Sequence, residues 1–373
     1  MKRRLLVLPL LAALLLALVL GGQAGSAKPL PRPPKGFFGI VPQTPVGPAD
    51  YRYMKAGGIE SIRLTLPWAA VQPHPHSPYD WSGFDAALEV ATRAGLRVLP
   101  SIGSPPKWAV RKETTMPVAS AKQRNGWSAF LSAAVARYGP GGEFWDETGG
   151  IGPNYEPAIS NPMPIREWQI WNEANFFYFA YPVSTSTYAK LITISSKAIK
   201  SVDPNAKVIL AGLFAEPTAS GRKGMAATTY LQRLYDIPGF KSRFDGIDLH
   251  PYAADSEELE RMIEEYVGVA RENGDRPGLY LTELGWGSQN NFKQVAFEQG
   301  IRGQVKQLRA SYAYMMENAR RLNLRSAYWF SWKDLPGSCT FCDSVGLFHA
   351  GPKFRAKPSW HAFVAITGGR ARP

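Results

Sequence analysis

Two glutamates, Glu173 and Glu283, stand where apolar, strand-like segments of the chain end. A single glutamate in such a position is usually a surface residue or a helix cap. A facing pair can do more, because cleavage of a glycosidic bond needs one carboxyl group to protonate the leaving oxygen and a second to act as nucleophile, about 5–5.5 Å away in retaining enzymes. The pair is therefore a candidate for glycoside hydrolysis, provided that the fold brings these distant positions together.

The chain around the glutamates alternates between short β-rich segments and longer amphipathic ones, a pattern typical of βα units around a parallel sheet. Eight strands are predicted, at residues 37–41, 61–66, 97–102, 168–172, 207–212, 246–250, 279–283 and 326–331. Helical periodicity is clearest at residues 84–95, 127–138, 188–202, 256–273 and 301–322. Eight units predict an α/β fold, a single (β/α)8 TIM barrel over residues 36–368, whose catalytic groups lie at the C-terminal ends of the strands.

Length and composition leave one alternative to this barrel. A chain of 373 residues could also form two doubly wound α/β domains. The sequence contains neither Gly-x-Gly-x-x-Gly nor Gly-Lys-Ser/Thr, so no nucleotide-binding motif supports the two-domain alternative. A composition that is 45% hydrophobic and 12% aromatic excludes a disordered chain. It also supplies more aromatic rings than a core needs, so we expect some of them at a binding surface.

Two motifs contain the glutamates, Trp171-Asn172-Glu173 and Leu281-Thr282-Glu283-Leu284-Gly285-Trp286. These motifs resemble clan A of the retaining glycoside hydrolases, and are more similar to family 39 than to family 5. The resemblance continues, in the same order, through Gly39, Arg63 with Pro67-Trp68, Ser104-Pro105-Pro106-Lys107-Trp108, Arg137-Tyr138-Gly139, residues 244–252, and Tyr328-Trp329-Phe330 to Gly346-Leu347. It thus covers nearly the whole chain after the N-terminal segment.

The resemblance implies that Glu173 is the general acid and base and that Glu283 is the nucleophile. Burial and a nearby anionic Glu283 would both raise the pKa of Glu173, so that it holds a proton near neutral pH. Once Glu283 carries the sugar, its charge is gone and the pKa of Glu173 should fall. Glu173 would then activate water as a base.

Four further residues would bind the substrate or support the nucleophile in this resemblance. Asn172 would hydrogen-bond the sugar 2-hydroxyl, and His250 would line the site. Arg63 and Tyr252 would keep the nucleophile ionised and oriented. A helix cap for Asn172, a structural ion pair for Arg63 and a buried rim position for His250 remain open as alternatives.

Tryptophans near predicted strand ends could stack on the apolar faces of sugars. Trp108, Trp286 and Trp329 are the candidates for substrate binding. Trp329 and Trp332 have opposite parity along the eighth strand, so at most one of them points into a regular barrel. The resemblance favours Trp329, and packing in the barrel core or against helices is the alternative for the others.

The two cysteines, Cys339 and Cys342, form a Cys-x-x-Cys pair after the eighth strand. No second pair or histidine cluster completes a zinc site, and the pair does not open a helix as a thioredoxin-like motif does. In an exported protein, we expect a local disulfide between them. We expect no metal and no organic cofactor.

Residues 1–27 have the layout of a secretory signal peptide, with three basic residues, an apolar run and then small residues. An uncleaved signal anchor is the alternative. Residues 28–35 are predicted to form a proline-rich linker, and residues 369–373 a basic C-terminal tail. We expect a secreted protein, extracellular or in the cell envelope, with no membrane span after cleavage.

The net charge of +13 gives little information about partners. The basic residues are spread along the chain and no nucleic-acid-binding motif accompanies them, so we expect a solvated basic surface and no nucleic-acid partner. Such a surface could favour an anionic cell wall or an acidic polysaccharide. The expected partner is a carbohydrate substrate, bound by a monomer.

The leading hypothesis is a secreted retaining O-glycosidase that acts on a poly- or oligosaccharide by double displacement. A non-hydrolytic carbohydrate-binding barrel is the alternative from another class, and it predicts sugar affinity without turnover. A transglycosylase would share the covalent intermediate and differ only in the acceptor. The sugar, the linkage and endo or exo action do not follow from the sequence.

Overall fold

A computed structural model describes residues 30–146, 159–291, 293, 295–339 and 341–373. The signal peptide predicted at residues 1–27 lies outside these residues. Within the described part of the chain, no helix is both long enough and apolar enough to cross a membrane.

The strands form a closed parallel barrel, which confirms the predicted fold. They are β1 (Phe38–Val41), β2 (Ser61–Pro67), β3 (Arg97–Gly103), β4 (Glu167–Ile170), β5 (Lys207–Ile209), β6 (Leu213–Phe214), β7 (Gly246–His250), β8 (Gly278–Leu284) and β9 (Leu324–Phe330). Their order is β5-β4-β3-β2-β1-β9-β8-β7-β6, and β5 also pairs with β7, which closes the ring. The short β6 follows β5 and takes the same place in the ring, so the barrel has eight strand positions.

The predicted fifth strand, 207–212, is broken into β5 and β6. Between them, the backbone N–H of Ala211 donates to the Tyr188 hydroxyl instead of to a neighbouring strand. Gly212 follows at the point where the His250 ring packs against the chain, so closely that a β carbon would lie 2.0 Å from Nε2. The break therefore makes room for a ring at the C-terminal end of β7.

The helices that surround the barrel are α1 (Pro48–Ala56), α2 (Trp68–Val71), α3 (Ser82–Arg93), α4 (Ala121–Tyr138), α5 (Thr185–Val202), α6 (Ala227–Tyr235), α7 (Ser256–Glu272), α8 (Gly300–Leu322) and α9 (Pro358–Thr367). Ser120, Ser184 and Asp255 cap the start of α4, α5 and α7 by accepting backbone N–H groups. Asn323, the residue after the predicted helix 301–322, ends α8 in the left-handed region at φ 54°. Helices α1, α2, α6 and α9 were not predicted, because ten residues or fewer are too few for a clear period.

Candidate active site

The barrel brings Glu173 and Glu283 together at the C-terminal ends of its strands. Glu173 follows β4, and Glu283 is the penultimate residue of β8. One carboxylate oxygen of each, together with a ring nitrogen of His250, lies within 4.8 Å of the others. Both glutamates are buried, with 5% and 8% of their surface exposed. Two positions far apart in sequence thus form one carboxylate pair.

A strained turn aims Glu173 at its partner. Trp171 and Glu173 have φ angles of 74° and 38°, in the left-handed region that non-glycine residues rarely adopt. The backbone N–H of Glu173 donates to the carbonyl of Gly212, and the N–H of Trp171 donates to that of Ile102. The Trp171 indole is buried and donates to the carbonyl of Phe179. These contacts hold a conformation that the residues themselves disfavour, as is common at functional sites.

Glu283 is held on both carboxylate oxygens. Arg63 Nη1 donates to Oε1 at 2.6 Å, and the Tyr252 hydroxyl donates to Oε2 at 2.7 Å. Burial acts to raise the pKa of this carboxyl group, but the neighbouring His250, Arg63 and Tyr252 bring it below the ordinary value. Glu283 is therefore ionised and fixed in orientation, which are the two properties that a nucleophilic carboxylate needs.

Arg63 also orients Asn172. Its Nη2 donates to Asn172 Oδ1 at 2.7 Å and to the Ser101 hydroxyl at 3.3 Å. Because a guanidinium can only donate, the amide oxygen of Asn172 must face Arg63. The amide nitrogen of Asn172 is then free to donate into the cleft, where a sugar hydroxyl would lie.

Glu173 has the opposite environment. Burial raises its pKa, and the charge of Glu283 adds to that effect, while a hydrogen bond from His250 works against it. His250 Nδ1 lies 2.9 Å from Glu173 Oε1, and the imidazole is fully buried. The net direction is upward, so Glu173 holds a proton under conditions in which Glu283 is ionised.

The cluster of Glu173, His250 and Glu283 also has the composition of a metal site. We do not assign these residues as metal ligands, because Arg63 and Tyr252 already occupy the two oxygens of Glu283. The close approach of a guanidinium would also repel a cation.

The pair lies at the bottom of an open cleft of about 1220 Å³. Such a space exceeds the 300–1,000 Å³ of ordinary small-molecule sites, so it has room for more than one sugar unit. Much of its wall consists of aromatic rings, namely Trp171, Phe176, Tyr178, Phe179, Phe214, Tyr252, Phe297, Phe330 and Phe341. On one side Phe330 stacks on Phe341, and Phe297 and Phe341 both contact the Tyr252 ring. The expected aromatic binding surface is present, built mainly from phenylalanine and tyrosine, with Trp171 as its one tryptophan among the described residues.

The predicted tryptophan platforms occupy other places. Trp286 and Trp329 are fully buried, pack on each other with ring centroids 6.3 Å apart, and do not line the cleft. Their indole N–H groups donate to the backbone carbonyls of Ala253 and Val345. The neighbour of Trp329, Phe330, faces the cleft instead, because adjacent residues of a strand point to opposite sides. The structure thus corrects the choice of Trp329 as a sugar platform.

Trp108 packs edge-on against Trp68, with ring centroids 5.1 Å apart, and donates to the carbonyl of Gln72. It is absent from the lining of the cleft. For this residue, the structure supports the packing role that the sequence left open.

The expected disulfide is confirmed, since Cys339 and Cys342 are bonded. Both cysteines line the cleft together with Ser338 and Phe341. The disulfide therefore closes a tight turn that carries part of the cleft wall.

Three buried polar residues behind the glutamates were not predicted as part of the site. They are Gln169 in β4, Asp248 in β7 and Thr282 in β8. All three are fully buried and hydrogen-bonded to one another. Each of these residues could have been noticed in the sequence, because it is a polar residue inside an otherwise apolar strand. Its hydrogen-bond partners could not have been predicted, because they lie on other strands.

Fold and site together define a (β/α)8 barrel with paired glutamates at its strand ends. The glycoside hydrolase family 42 model, described as beta-galactosidase, matches residues 44–134. No curated protein matches the chain.

Solved structures of glycoside hydrolases are similar to the chain in fold. A family 39 glycoside hydrolase from Bacteroides cellulosilyticus WH2 is 19% identical over 90% of this chain and 64% of its own, with a TM-score of 0.62. A glucosidase from Croceicoccus marinus is 15% identical over 91% and 69%, with a TM-score of 0.61. A GH39 beta-xylosidase from Caulobacter crescentus is 20% identical over 91% and 72%, with a TM-score of 0.57.

The chain thus spans about two thirds of the length of these proteins. At such identities the likeness establishes the fold. It confirms, at that level, the resemblance to clan A and to family 39.

Proposed function

We propose that this protein is a secreted retaining O-glycosidase that hydrolyses a poly- or oligosaccharide by double displacement. Glu283 attacks the anomeric carbon while Glu173 protonates the leaving oxygen, which gives a glycosyl ester on Glu283. Glu173, now a carboxylate, removes a proton from water, which attacks the same carbon and releases the sugar and the free Glu283. The second step returns to Glu173 the proton that the first step used, so both glutamates are restored after each turnover and neither step uses a cofactor.

The observation that carries this proposal is the contrast between two carboxyl groups within 4.8 Å of each other. One is ionised and bound on both oxygens, while the other is buried with its pKa raised. Two acids whose pKa values are driven apart in one cleft are the arrangement that acid and nucleophile roles require. Their short separation favours retention, since an inverting enzyme needs about 6.5–9.5 Å for a water molecule between them.

The shape of the cleft supports a polymeric or oligomeric substrate. Tyr178, Phe179 and Tyr181 are 64%, 41% and 40% exposed and follow Glu173 closely in the chain. Exposed aromatic side chains beside an aromatic cleft suit the apolar faces of further sugar units. A bacterial extracellular or cell-envelope polysaccharide is the class of substrate that we propose.

Two features support secretion. Residues 1–27 have the pattern of a signal peptide. The disulfide between Cys339 and Cys342 suits an oxidising compartment. Expression of the full chain, with N-terminal sequencing of the exported product, tests the cleavage site.

Two variants test the catalytic assignment with aryl glycosides and purified polysaccharides as substrates. Glu283→Gln should abolish turnover. Glu173→Ala should lose most activity and regain part of it with azide on an activated aryl glycoside, because azide replaces the water that no longer has a base. Glu143→Gln, on a side chain that is 83% exposed, is the matched control and should keep full activity. Full activity in both site variants would refute the assignment.

The stereochemistry is tested separately. NMR of the first product formed should show the anomeric configuration of the substrate, and inversion would refute the double displacement. Sugar binding without turnover in the wild-type protein would support the carbohydrate-binding alternative. Transfer to an added sugar acceptor in preference to water would identify a transglycosylase.

A further inference from the structure

A chain of buried polar groups leads from Glu173 into the barrel interior. It passes through His250, Thr282 and Asp248 to Gln169, and the last four of these five residues have no exposed surface. Buried polar groups are costly unless every hydrogen has an acceptor, so the positions of the protons can be worked out from the contacts.

The orientation of Gln169 follows from Arg63. Arg63 Nε lies 2.6 Å from Gln169 Oε1 and can only donate, so the amide oxygen faces the guanidinium. The amide nitrogen then faces Asp248 Oδ2 at 2.5 Å and Thr282 Oγ1 at 3.1 Å. Both of these oxygens therefore accept a hydrogen from Gln169.

The hydroxyl hydrogen of Thr282 belongs to Asp248. Thr282 Oγ1 lies 2.6 Å from Asp248 Oδ2, and the backbone N–H of Thr282 donates to Oδ1 at 3.0 Å. Asp248 thus accepts three hydrogens, which suits a carboxylate. Burial raises its pKa to about 6, which leaves it ionised at neutral pH.

This assignment decides which nitrogen of His250 carries a proton. His250 Nε2 lies 2.9 Å from Thr282 Oγ1, whose only hydrogen is already donated to Asp248. Nε2 must therefore donate. Neutral His250 then has its lone pair on Nδ1, which lies 2.9 Å from Glu173 Oε1 and 3.7 Å from Glu283 Oε2. Only the contact to Glu173 is a hydrogen bond.

We propose that Asp248 and Thr282 are positioning residues that fix the proton of neutral His250 on Nε2 and thereby make the acid function of Glu173 depend on the charge of His250. As imidazolium, His250 donates from Nδ1 to Glu173 Oε1 and leaves Oε2 to carry the proton for the leaving oxygen. As neutral imidazole, it can only accept at Nδ1, so it draws the Glu173 proton to Oε1. No proton is transferred to His250 during turnover.

The titratable groups that face His250 are Glu173, Glu283, Asp248 and Tyr252, and Arg63 is bonded to Glu283 beside them. Burial acts to lower the pKa of His250, but the three carboxylates raise it above the ordinary value. The imidazolium thus persists through the acid side of neutrality. Because the acid function of Glu173 depends on the charge of His250, loss of that charge should limit activity on the alkaline side of the pH profile.

The first test needs no substrate, although the inference rests on the proposed function of Glu173. The sequence has five histidines, so ¹⁵N-histidine labelling gives a sparse spectrum, and His250→Gln assigns the buried ring. In the wild type, at a pH above the titration of His250, we expect the Nε2–H tautomer. A wild-type Nδ1–H tautomer would overturn the proposal by itself, even if no variant could be purified.

The variants test the relay that fixes the tautomer. Thr282→Val removes the acceptor with little change in shape, so His250 should become a mixture of tautomers, while Thr282→Ser should retain Nε2–H. Thr193→Val, whose hydroxyl donates to the carbonyl of Ala189 on α5, is the matched control and should leave the spectrum unchanged. An unchanged tautomer in folded Thr282→Val would refute the role of Thr282.

The second test uses an aryl glycoside that the wild type hydrolyses. Thr282→Val should move the alkaline limb of the kcat/KM profile to higher pH, because a neutral His250 with its proton on Nδ1 still donates to Glu173. A merely structural role would lower activity at every pH without moving that limb. If no glycoside is hydrolysed, the proposed function fails while the spectroscopic result still decides the tautomer.

Discussion

Among single residues, Tyr252 offers the sharpest test of how Glu283 is kept ionised. Tyr252→Phe removes the hydroxyl donor to Oε2, so the pKa of Glu283 should rise and the acid limb of the kcat/KM profile should move to higher pH. A hydrogen bond to a charged group contributes about 1.5–3 kcal/mol, which predicts a loss of about 10- to 150-fold in kcat/KM. A pH series with an aryl glycoside measures both effects.

Tyr280→Phe is the matched control for this prediction. Its hydroxyl donates to Glu167 at the other end of the barrel strands. The acid limb should stay in place in this variant. Equal profiles for wild type and Tyr252→Phe would contradict the role of the phenol.

At the scale of single residues, the sequence predicted the catalytic residues of the site better than the side chains that line the cleft. Glu173 and Glu283 were predicted as a pair because two carboxyl groups at the strand ends of one barrel suit glycoside hydrolysis, and the role of Arg63 came from the resemblance to clan A. Phe330 was passed over in favour of Trp329, since the direction of a side chain depends on where the strand begins. That register is set by pairing with β1, where Val41 lies opposite Phe330.

Among the elements, the segment after β9 is held by its disulfide. Replacing Cys339 and Cys342 with serine opens a loop so short that the chain-entropy model gives a loss of only about 2 kcal/mol in the free energy of unfolding. Because the loop carries Phe341 into the cleft, we expect KM to rise more than kcat falls. Urea unfolding and steady-state kinetics on an oligosaccharide measure the two effects, and a fall in kcat alone would contradict this view.

A buried lysine joins the segments that follow β8 and β9. Lys357 is 1% exposed, and its Nζ donates to Asp334 at 2.6 Å, to Ser288 at 2.9 Å and to the carbonyl of Ser344 at 2.6 Å. Lys357→Met should lower the free energy of unfolding by about 3–5 kcal/mol, because it leaves a buried carboxylate unpaired.

Urea denaturation checks this prediction, with the exposed Lys306→Met as control. Adding Asp334→Asn to Lys357→Met should recover part of the loss, since no buried charge remains alone. Strictly additive losses would argue that the two residues do not interact.

The boundaries of elements were harder to predict than their existence. The fourth strand was expected to run through Asn172, but β4 ends at Ile170 because Trp171 adopts a positive φ. Nothing in the composition of this segment signals a left-handed tryptophan. The contacts that impose it come from β3 and from the segment after Trp171.

For the whole molecule, the distribution of exposed apolar side chains predicts a monomer. In the described residues, the exposed large apolar side chains are Leu30, Tyr178, Phe179, Tyr181, Val202 and Ile301. Tyr178 and Phe179 line the cleft, Tyr181 follows them closely in the chain, and the others are scattered, so they leave little apolar surface for a stable dimer. Light scattering of the chain without residues 1–27 should give the mass of one chain, and a dimer would contradict this prediction.

The barrel itself was predictable because it repeats. Eight alternations of strand and helix leave few topologies, and the strand order follows the chain apart from the split of β5 and β6. The hydrogen-bonded interior was not predictable, because Gln169, Asp248 and Thr282 meet only after the ring closes. The net charge of +13 describes the surface and gave no guide to the site.

The left-handed conformation of Glu173 implies a conflict between stability and activity at one position. A non-glycine residue in this region costs about 1–2 kcal/mol, and glycine adopts it freely. Glu173→Gly should therefore melt at a higher temperature than Glu173→Ala, although both lack the acid, and calorimetry would show the order. Glu173→Gly, inactive yet more stable than Glu173→Ala, would be the practical form in which to trap an intact substrate.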